Sequence, residues 1–493
     1  MAAMVWPSGY GSTMEPQTIK PGTMTERPAQ PDAEDFDHVI VGTGQAVGTL
    51  LAALPEDERV AIIEGGAVGG TCVNTGCTPT KTLVASAKVA HQARRAGEYG
   101  VRTGPVTVDF AAVMARMNDM REASRNGLAR WFETAPNVTF VRDWGRFVGP
   151  RTLVAGGRTL RGARVYLNVG ARARIPDVPG LDTVPWLDNV RLLELDALPD
   201  HLVVMGASYV GLEFAQMFAR FGARVSVIGN RQQIMPREDA DVAEAAQAAL
   251  EDDGVEFLLG VRPQRVEATP GGGVAVVCDG DAGEQQVQGS HLLVATGRVP
   301  NSDRLDLEYA GVAVDERGYV RVDDELRTSA EGVFALGDVN GRGAFTHTSV
   351  NDAEIVLDGL RGGSRRVSQR PAVYAMFIDP PLGRVGLSER EALAAGHRVR
   401  KAALPMERIA RAKEMGETKG FVKLLVDADS ERFLGASLLG LAGDELVSTF
   451  ATAMNAGMTW REFRTTVLPH PTVAELMPWA LDDLSEVGDS AAA

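Results

Sequence analysis

The amino-acid sequence predicts an α/β fold with two Rossmann-like dinucleotide-binding domains, followed by a third domain of the α+β class. Two glycine-rich turns, at residues 42–48 and 206–211, each lie between an apolar strand and a helical segment, an arrangement typical of such domains. The pattern changes from about residue 372, where two strand-like runs are followed by amphipathic helices. The chain of 493 residues is also long enough for about three domains.

The first glycine-rich turn belongs to a strand–turn–helix–strand unit. The apolar run 37–41 leads into the turn, and the next strand, 60–63, ends at Glu64. Glycines such as Gly42 and Gly44 let the backbone approach a pyrophosphate at the start of the helix, and an acid about 20 residues later binds a ribose hydroxyl. We therefore predict a dinucleotide site at this turn.

The second glycine-rich turn belongs to a similar unit, with strands at 202–205 and 224–228. An acid at the end of the second strand would accept the adenosine 2′-hydroxyl and repel a 2′-phosphate. In this chain that place is taken by Gly229, followed by Asn230 and Arg231. The missing acid and the arginine favour NADPH over NADH as the second dinucleotide.

The chain has only three cysteines, Cys72, Cys77 and Cys278. The first two lie in the segment 69–81, GGTCVNTGCTPTK, shortly after the first nucleotide motif. Gly76 permits a bend that lets the two thiols meet, and a helix beginning at Cys77 would lower the pKa of that thiol. We interpret the pair as redox-active; the alternative is two buried thiols that act as small hydrophobic side chains. Cys278, in a predicted strand, is expected to be inert.

Composition and charge exclude several classes of function. The 65 acidic and 50 basic residues give a net charge of −15, and no basic cluster with an aromatic platform is present, so nucleic acid is not an expected partner. The longest apolar stretches, roughly ten residues, are too short to cross a membrane. No signal peptide is recognised, which indicates a cytoplasmic protein. Residues 1–35, rich in Pro, Gly, Ser and Thr, are expected to form a disordered leader.

The chain resembles the class I flavoprotein disulfide reductases, or pyridine nucleotide-disulfide oxidoreductases, which include dihydrolipoamide dehydrogenase, glutathione reductase and mercuric reductase. The resemblance extends from Asp37 to about Leu484. It rests on the cysteine segment and the second nucleotide turn, together with the stretches 295–301 (ATGRVPN), 337–338 (GD) and 470–475 (HPTVAE), in the order and spacing of the family.

The resemblance implies a division into domains. Residues 36–180 would form the first part of an FAD-binding domain, and residues 181–300 would bind NAD(P)H. Residues 301–368 would complete the FAD-binding and central domain, and residues 369–493 would form a dimerisation domain.

The resemblance also implies which residues contact the cofactors. The expected FAD contacts are Gly42, Gly44, Glu64, Gly70, Thr71, Lys81, Gly145, Gly170 and Asp338. Further cofactor contacts are expected at Gly206, Tyr209, Gly211, Arg231 and Gly297. Among these, Tyr209 matches the residue that covers the nicotinamide pocket in the family.

For catalysis, the resemblance implies that Cys77 lies under the flavin and that Cys72 faces the substrate. Lys81 and Glu213 would form an ion pair beside the flavin ring. His470, oriented by Glu475, would protonate the departing thiolate, since an imidazole titrates near neutral pH. In the family this histidine and glutamate reach the active site of the other subunit, so a homodimer is implied.

The substrate is predicted less directly than the cofactors. Arg237-Glu238-Asp239, Ser208 and Val73-Asn74 resemble the mercuric reductases. Those enzymes, however, receive the ion on an extra C-terminal cysteine pair, and this chain has no cysteine after Cys278. We therefore favour a small disulfide. A metal-ion reductase and a lipoamide dehydrogenase-type subunit docked in a larger complex are the alternatives, and a quinone or oxygen also remains compatible as electron acceptor.

Overall fold

The structure, a computed structural model, describes residues 32–487. The predicted disordered leader lies outside the described residues as far as residue 31. Residues 34 and 35, which were predicted to belong to this leader, are instead part of the first strand, which begins at Glu34 and not near Asp37. Glu34 pairs with Leu160 of a neighbouring strand, and its carboxylate accepts a hydrogen bond of 2.7 Å from Nε of Arg158.

The N-terminal part contains the first dinucleotide unit and the cysteine segment. Its strands are β1 (Glu34–Val41), β2 (Val60–Ile63), β3 (Val138–Val141), β4 (Arg146–Gly149), β5 (Thr152–Ala155), β6 (Arg158–Leu167) and β7 (Ala171–Ala173). Its helices are α1 (Ala46–Ala53), α2 (Gly70–Asn74), α3 (Cys77–Arg95) and α4 (Phe110–Thr134). The predicted strand 60–63 coincides with β2.

The middle part contains the second dinucleotide unit. Its strands are β8 (Trp186–Leu187), β9 (His201–Met205), β10 (Arg224–Ile228), β11 (Val255–Leu258), β12 (Arg262–Ala268), β13 (Val274–Gly280), β14 (Gly283–Gly289), β15 (His291–Val294) and β16 (Arg298–Pro300). Its helices are α5 (Tyr209–Phe221) and α6 (Ala240–Asp252).

The C-terminal part begins with a strand that returns to the first sheet. Its strands are β17 (Val333–Ala335), β18 (Val373–Met376), β19 (Leu382–Gly386), β20 (Val399–Pro405), β21 (Phe421–Asp427), β22 (Phe433–Leu439) and β23 (Ser485–Glu486). Its helices are α7 (Thr346–Leu360), α8 (Glu389–Ala394), α9 (Ala410–Glu414), α10 (Gly443–Asn455), α11 (Trp460–Arg464) and α12 (Met477–Ala480).

Two sheets carry the two glycine-rich turns; the first is mixed, because β4 and β5 join it in antiparallel pairs, and the second is parallel. The first has the order β3-β2-β1-β6-β5-β4, with β17 also paired to β6, and the second has the order β11-β10-β9-β15-β8. Each turn follows the central strand of its sheet, β1 or β9, and leads directly into a helix. Ligands of open α/β sheets bind at the carboxyl ends of such strands, where the strand order reverses. Both turns are therefore positioned to bind a dinucleotide, and the predicted α/β class is confirmed.

The sequence of residues 254–297, in which apolar runs alternate with glycine-rich turns, predicts the strands of a small antiparallel layer, and the structure differs from this in part. Only β12, β13 and β14 form an antiparallel sheet. The flanking strands β11 and β15 instead join the parallel sheet that carries the second glycine-rich turn. In that sheet β15 pairs with β9 and is buried apart from its first residue. A short apolar strand has the same sequence pattern in either kind of sheet, so its partner cannot be recognised locally.

The α+β domain has an antiparallel sheet of order β18-β19-β22-β21-β20-β23. Helix α10 packs on this sheet through Val447 and Phe450, which belong to a separate hydrophobic core. A different core joins the N-terminal and middle parts, where Phe110 of α4 packs against Phe218 and Phe221 of α5. None of the helices within residues 32–487 is both long and apolar enough to cross a membrane.

Candidate active site

The two cysteines of the predicted redox pair meet where two helices join. Cys72 lies in α2, and Cys77 is the first residue of α3; both are free thiols in the structure. A Cβ atom at Gly76 would lie 2.9 Å from the carbonyl oxygen of Thr71, so only glycine allows the chain to fold back this closely. Cys77 is therefore at the positive end of a 19-residue helix dipole.

A buried asparagine fixes this loop from inside. The Asn74 side chain donates hydrogen bonds of 2.9 Å to the carbonyl oxygens of Val68 and Gly70. The first bond ties the end of α2 to the preceding turn and the second joins the two ends of α2, which holds Cys72 in position. We had not assigned this role to Asn74 from the sequence; its only local signal is a polar residue between the two cysteines.

The two thiols differ in their acidity. A hydrogen bond between them lowers the pKa of Cys77 to about 6 and raises the pKa of Cys72. Thr346 Oγ1, which lies 3.4 Å from Cys77 Sγ, and the charge of Lys81 also lower the pKa of Cys77. In the dithiol at neutral pH, the proton therefore stays on Cys72 and Cys77 is the thiolate. Thr346 is 269 residues away in sequence, so no local pattern could have revealed this contact.

The predicted ion pair between Lys81 and Glu213 is present. Lys81 Nζ lies 2.6 Å from Glu213 Oε2, and the other carboxylate oxygen accepts a hydrogen bond of 2.8 Å from the backbone N–H of Phe377. Lys81 Nζ also lies 4.4 Å from the centre of the Phe377 ring. The pair thus joins α3 and α5, and a residue of the C-terminal domain keeps the carboxylate in place.

The residues of the first nucleotide turn fit FAD. A Cβ atom at Gly42 would lie 2.6 Å from the carbonyl oxygen of Asn168, and one at Gly44 would lie 2.3 Å from Asn168 Oδ1. This buried oxygen has no hydrogen-bond partner among residues 32–487. Glu64 Oε2 accepts hydrogen bonds from the N–H and hydroxyl of Thr43 at 2.8 and 2.6 Å. The close-packed glycines and the acid at the strand end provide the groups that a dinucleotide requires.

Other predicted FAD contacts lie near this turn. Gly145 packs against Ile63 at the end of β2, since a Cβ atom there would lie 3.0 Å from Ile63 Cγ2. Asp338 lies 3.5 Å from Arg298, and burial raises the pKa of its carboxyl group despite the nearby guanidinium. Arg298 also lines the site, but the sequence did not predict a role for its side chain. Its only signal was its position in the stretch 295–301, which belongs to the family pattern.

The second nucleotide turn is packed as tightly as the first. A Cβ atom at Gly206 would lie 2.4 Å from the carbonyl oxygen of Ala295, and one at Gly211 would lie 2.2 Å from that of Gly206. At the end of β10, a Cβ atom at Gly229 would lie 2.7 Å from Leu259 Cδ2. The position at which an NADH-specific domain carries its acid is therefore taken by a glycine packed near Leu259 and Ala207, and Arg231 is exposed beside it.

A single cavity of about 1400 Å³ unites most of these residues. The predicted site residues that line it are Gly44, Gly70, Thr71, Cys72, Cys77, Lys81, Gly170, Gly206, Tyr209, Glu213, Arg231, Gly297 and Asp338. Gly42, Glu64 and Gly145 lie just behind it at the ends of β1 and β2, and Gly211 lies in α5 behind Gly206.

His470 and Glu475 are the predicted catalytic residues that do not line this cavity. His470 Nδ1 lies 2.7 Å from Glu475 Oε2, so the expected histidine–carboxylate pair is formed. The histidine side chain is 77% exposed and the carboxylate is 13% exposed. The pair therefore presents an oriented imidazole on the surface of its own chain.

Comparison with known proteins agrees with this geometry. Residues 36–353 match the family model described as pyridine nucleotide-disulphide oxidoreductase, and residues 372–481 match the dimerisation domain of the same family. The chain is 34% identical to the probable pyridine nucleotide-disulfide oxidoreductase RclA of Escherichia coli, over 91% of this chain and 98% of that protein. It is 32% identical to a mercuric reductase of Streptomyces lividans, over 90% of this chain and 95% of that protein.

The fold is also similar to solved structures. One is described as a Cu(II) complex of the HOCl-induced flavoprotein disulfide reductase RclA from Escherichia coli. The superposition covers 91% of this chain and 99% of the solved chain, with a TM-score of 0.81 and 34% sequence identity. The chain is thus an enzyme that uses FAD and NAD(P)H, and it carries a dimerisation domain. It belongs to the pyridine nucleotide-disulphide oxidoreductase family.

Proposed function

We propose that this enzyme transfers two electrons from NADPH, by way of FAD and the Cys72–Cys77 pair, to a small disulfide. The observation that carries the proposal is the single cavity in which both thiols, the Lys81–Glu213 ion pair and the second nucleotide turn lie together. Bound FAD would supply the two-electron chemistry that links hydride transfer from the nicotinamide to reduction of the cysteine disulfide.

The cysteines divide the reaction with the substrate between them. Cys72, once its proton is removed, attacks one sulfur of the substrate disulfide; that S–S bond breaks and a thiolate leaves. Cys77, already a thiolate because of its low pKa, then attacks Cys72 Sγ in the mixed disulfide. The second substrate thiolate leaves and the Cys72–Cys77 disulfide forms again. The dithiol is oxidised by two electrons, and the substrate is reduced to two thiols.

We assign the proton transfers to His470 of a second copy of the chain. Because the pKa of Cys72 is raised, its attack requires a base, and the leaving thiolate then requires an acid. The imidazole is exposed and does not line the cavity of its own chain, and Glu475 keeps it oriented. This arrangement supports a homodimer in which each active site is completed by the other subunit, in agreement with the dimerisation domain.

NADPH is proposed as the electron donor for two reasons. Gly229 takes the place of the acid that would bind a 2′-hydroxyl and repel a 2′-phosphate. Arg231 and Arg237 are exposed and line the same end of the cavity, where they can bind a phosphate. We also propose that the enzyme acts in the cytoplasm, where disulfide substrates are kept reduced.

The test is NADPH consumption by the holoenzyme with a panel of acceptors: glutathione disulfide, oxidised lipoamide, cystine, and mercuric and cupric ions. We expect turnover with at least one disulfide. Cys72→Ser should abolish this turnover, while NADPH still bleaches the flavin absorbance. Cys278→Ser, a change at a buried thiol outside the cavity, is the matched control and should retain activity. Disulfide turnover by Cys72→Ser would show that the proposal is wrong.

Reduction of a metal ion is the second candidate function. It is favoured by the relatives, which include mercuric reductases and a reductase solved as its Cu(II) complex. The two thiols are soft ligands for such ions, but no further cluster of three His, Cys, Asp or Glu side chains suited to a metal exists within residues 32–487. His470→Ala distinguishes the two functions. Disulfide reduction should be lost, because it needs a proton donor, whereas metal-ion reduction should persist.

A docked subunit of a larger dehydrogenase complex is the remaining alternative. Co-purification of the chain with an acyltransferase core, together with lipoamide as the best acceptor, would support it. Free homodimer with preference for another disulfide would favour our proposal.

A further inference from the structure

Tyr209 occupies the path between the second nucleotide turn and the ion pair. It is the first residue of α5 and lies one helical turn before Glu213, so both side chains are on the same face of that helix. Both line the cavity, with the nucleotide turn on one side and Lys81 on the other. A nicotinamide ring that reaches Lys81 along this face of α5 meets the half-buried ring of Tyr209, and we take that ring to move aside when the nucleotide binds.

Two tyrosines donate hydrogen bonds to one buried oxygen. The hydroxyl of Tyr209 donates to Glu238 Oε1 at 2.6 Å, and the hydroxyl of Tyr374 donates to the same oxygen at 2.5 Å. Burial raises the pKa of both phenols, so both remain protonated donors. The two phenols thus share one acceptor, although they come from different domains.

Glu238 cannot follow Tyr209 if that ring moves. Its side chain is fully buried and its Oε2 accepts a hydrogen bond of 3.0 Å from Nε of Arg384, whose side chain is 2% exposed. Arg384 is itself fixed to the α+β domain, because its Nη1 donates to the carbonyl oxygens of Val385 and Leu387. Movement of Tyr209 must therefore break its bond to the carboxylate.

Tyr374 has a packing contact that does not involve Tyr209, although the two rings also meet, with centroids 5.7 Å apart and hydroxyl oxygens 3.4 Å apart. It lies on β18, and its ring is stacked on that of Phe345 with centroids 5.3 Å apart and an interplanar angle of 4°. The stacking does not involve the hydroxyl group. Tyr374 can therefore keep its bond to Glu238 after Tyr209 has moved.

We infer that Tyr374 is a positioning residue for nicotinamide binding, which keeps Glu238 hydrogen-bonded while Tyr209 moves aside. This inference rests on the proposed function, because it takes NADPH as the ligand. We call the conformation in which Tyr209 has moved aside the open state. With Tyr374 present, opening removes only one of two hydrogen-bond donors from Glu238 Oε1. Without it, opening leaves a buried charged oxygen with no donor, which is much less favourable. The open state then becomes rarer, and the apparent affinity for the nucleotide falls in proportion.

The test compares Tyr374→Phe, which keeps the stacking on Phe345, with the wild-type holoenzyme. We expect NADP⁺ to bind about tenfold more weakly by calorimetry, and NADPH to bleach the flavin about tenfold more slowly at limiting concentration, the factor for one lost hydrogen bond to a charged group. Binding of 2′,5′-ADP, which lacks the nicotinamide, should not change. Tyr309→Phe, at an exposed tyrosine away from the cavity, is the control.

A double-mutant cycle separates this role from a merely structural one. In the Tyr209→Phe background the ring at position 209 has no hydrogen bond to Glu238 that must break when it moves. Adding Tyr374→Phe should therefore no longer weaken NADP⁺ binding. The inference is wrong if Tyr374→Phe binds NADP⁺ like the wild type, if 2′,5′-ADP is weakened equally, or if the tenfold effect persists beside Tyr209→Phe. If NADPH did not bleach the wild-type flavin at all, the proposed function itself would fail and the inference with it.

Discussion

The low pKa of Cys77 can be tested by removing the hydrogen bond that is its largest cause. Cys72→Ala removes the donor, whereas Cys72→Ser keeps a hydroxyl donor in the same place. With a pKa of about 6, roughly nine-tenths of Cys77 is thiolate at pH 7, compared with a few per cent of an ordinary thiol. In Cys72→Ala we expect the pKa to rise by about one to two pH units, since the largest cause is lost while Thr346, Lys81 and the backbone at the start of α3 still favour the thiolate.

The assay is the rate of alkylation by iodoacetamide as a function of pH. In both variants Cys77 is the only cysteine left at the site, and Cys278 does not compete, because burial raises its pKa to about 11. Reaction of Cys72→Ser should reach half its maximum near pH 6, and that of Cys72→Ala at a clearly higher pH. A midpoint near pH 6 in both variants would show that the hydrogen bond is not the cause of the acidity.

Three further predictions follow from the site. Arg231→Ala should raise the KM for NADPH about tenfold and leave that for NADH nearly unchanged, as measured in steady-state assays, because one phosphate contact is lost. Glu213→Gln should slow flavin reduction by NADPH, measured by stopped flow, because Lys81 loses the charge that orients it. Gly44→Ala should lower the FAD content and reduce the free energy of unfolding by about 1–3 kcal/mol, because the new Cβ overlaps Asn168. The control is Gly127→Ala, at an open position of α4, which should raise the stability slightly in thermal unfolding.

The predictions from sequence succeeded where the signal was local. Strand β2 and strand β10 were placed at their observed bounds, because each is a short apolar run bounded by turn residues or an acid. The cysteine segment was recognised by its spacing, and α3 does begin at Cys77. The Lys81–Glu213 pair was implied by the resemblance and is present in the structure.

The errors also have a physical reason. The first strand begins at Glu34 because it gains a partner in β6, which the polar residues before Asp37 gave no sign of. The strands β11 and β15 were placed in an antiparallel layer, although each pairs in parallel with a strand of the second sheet. In both cases the deciding hydrogen bonds come from a distant strand.

Local patterns were enough to predict the α/β class, the two nucleotide turns and the segment with the two cysteines, because periodicity, glycine positions and cysteine spacing all lie within short segments. The surroundings of those groups depend on the tertiary fold. Thr346 beside Cys77, the Phe377 N–H on Glu213, and the two phenols on Glu238 all join residues more than 25 positions apart. Such contacts depend on how separate sheets and domains pack, and a pattern within one segment contains no information about that packing.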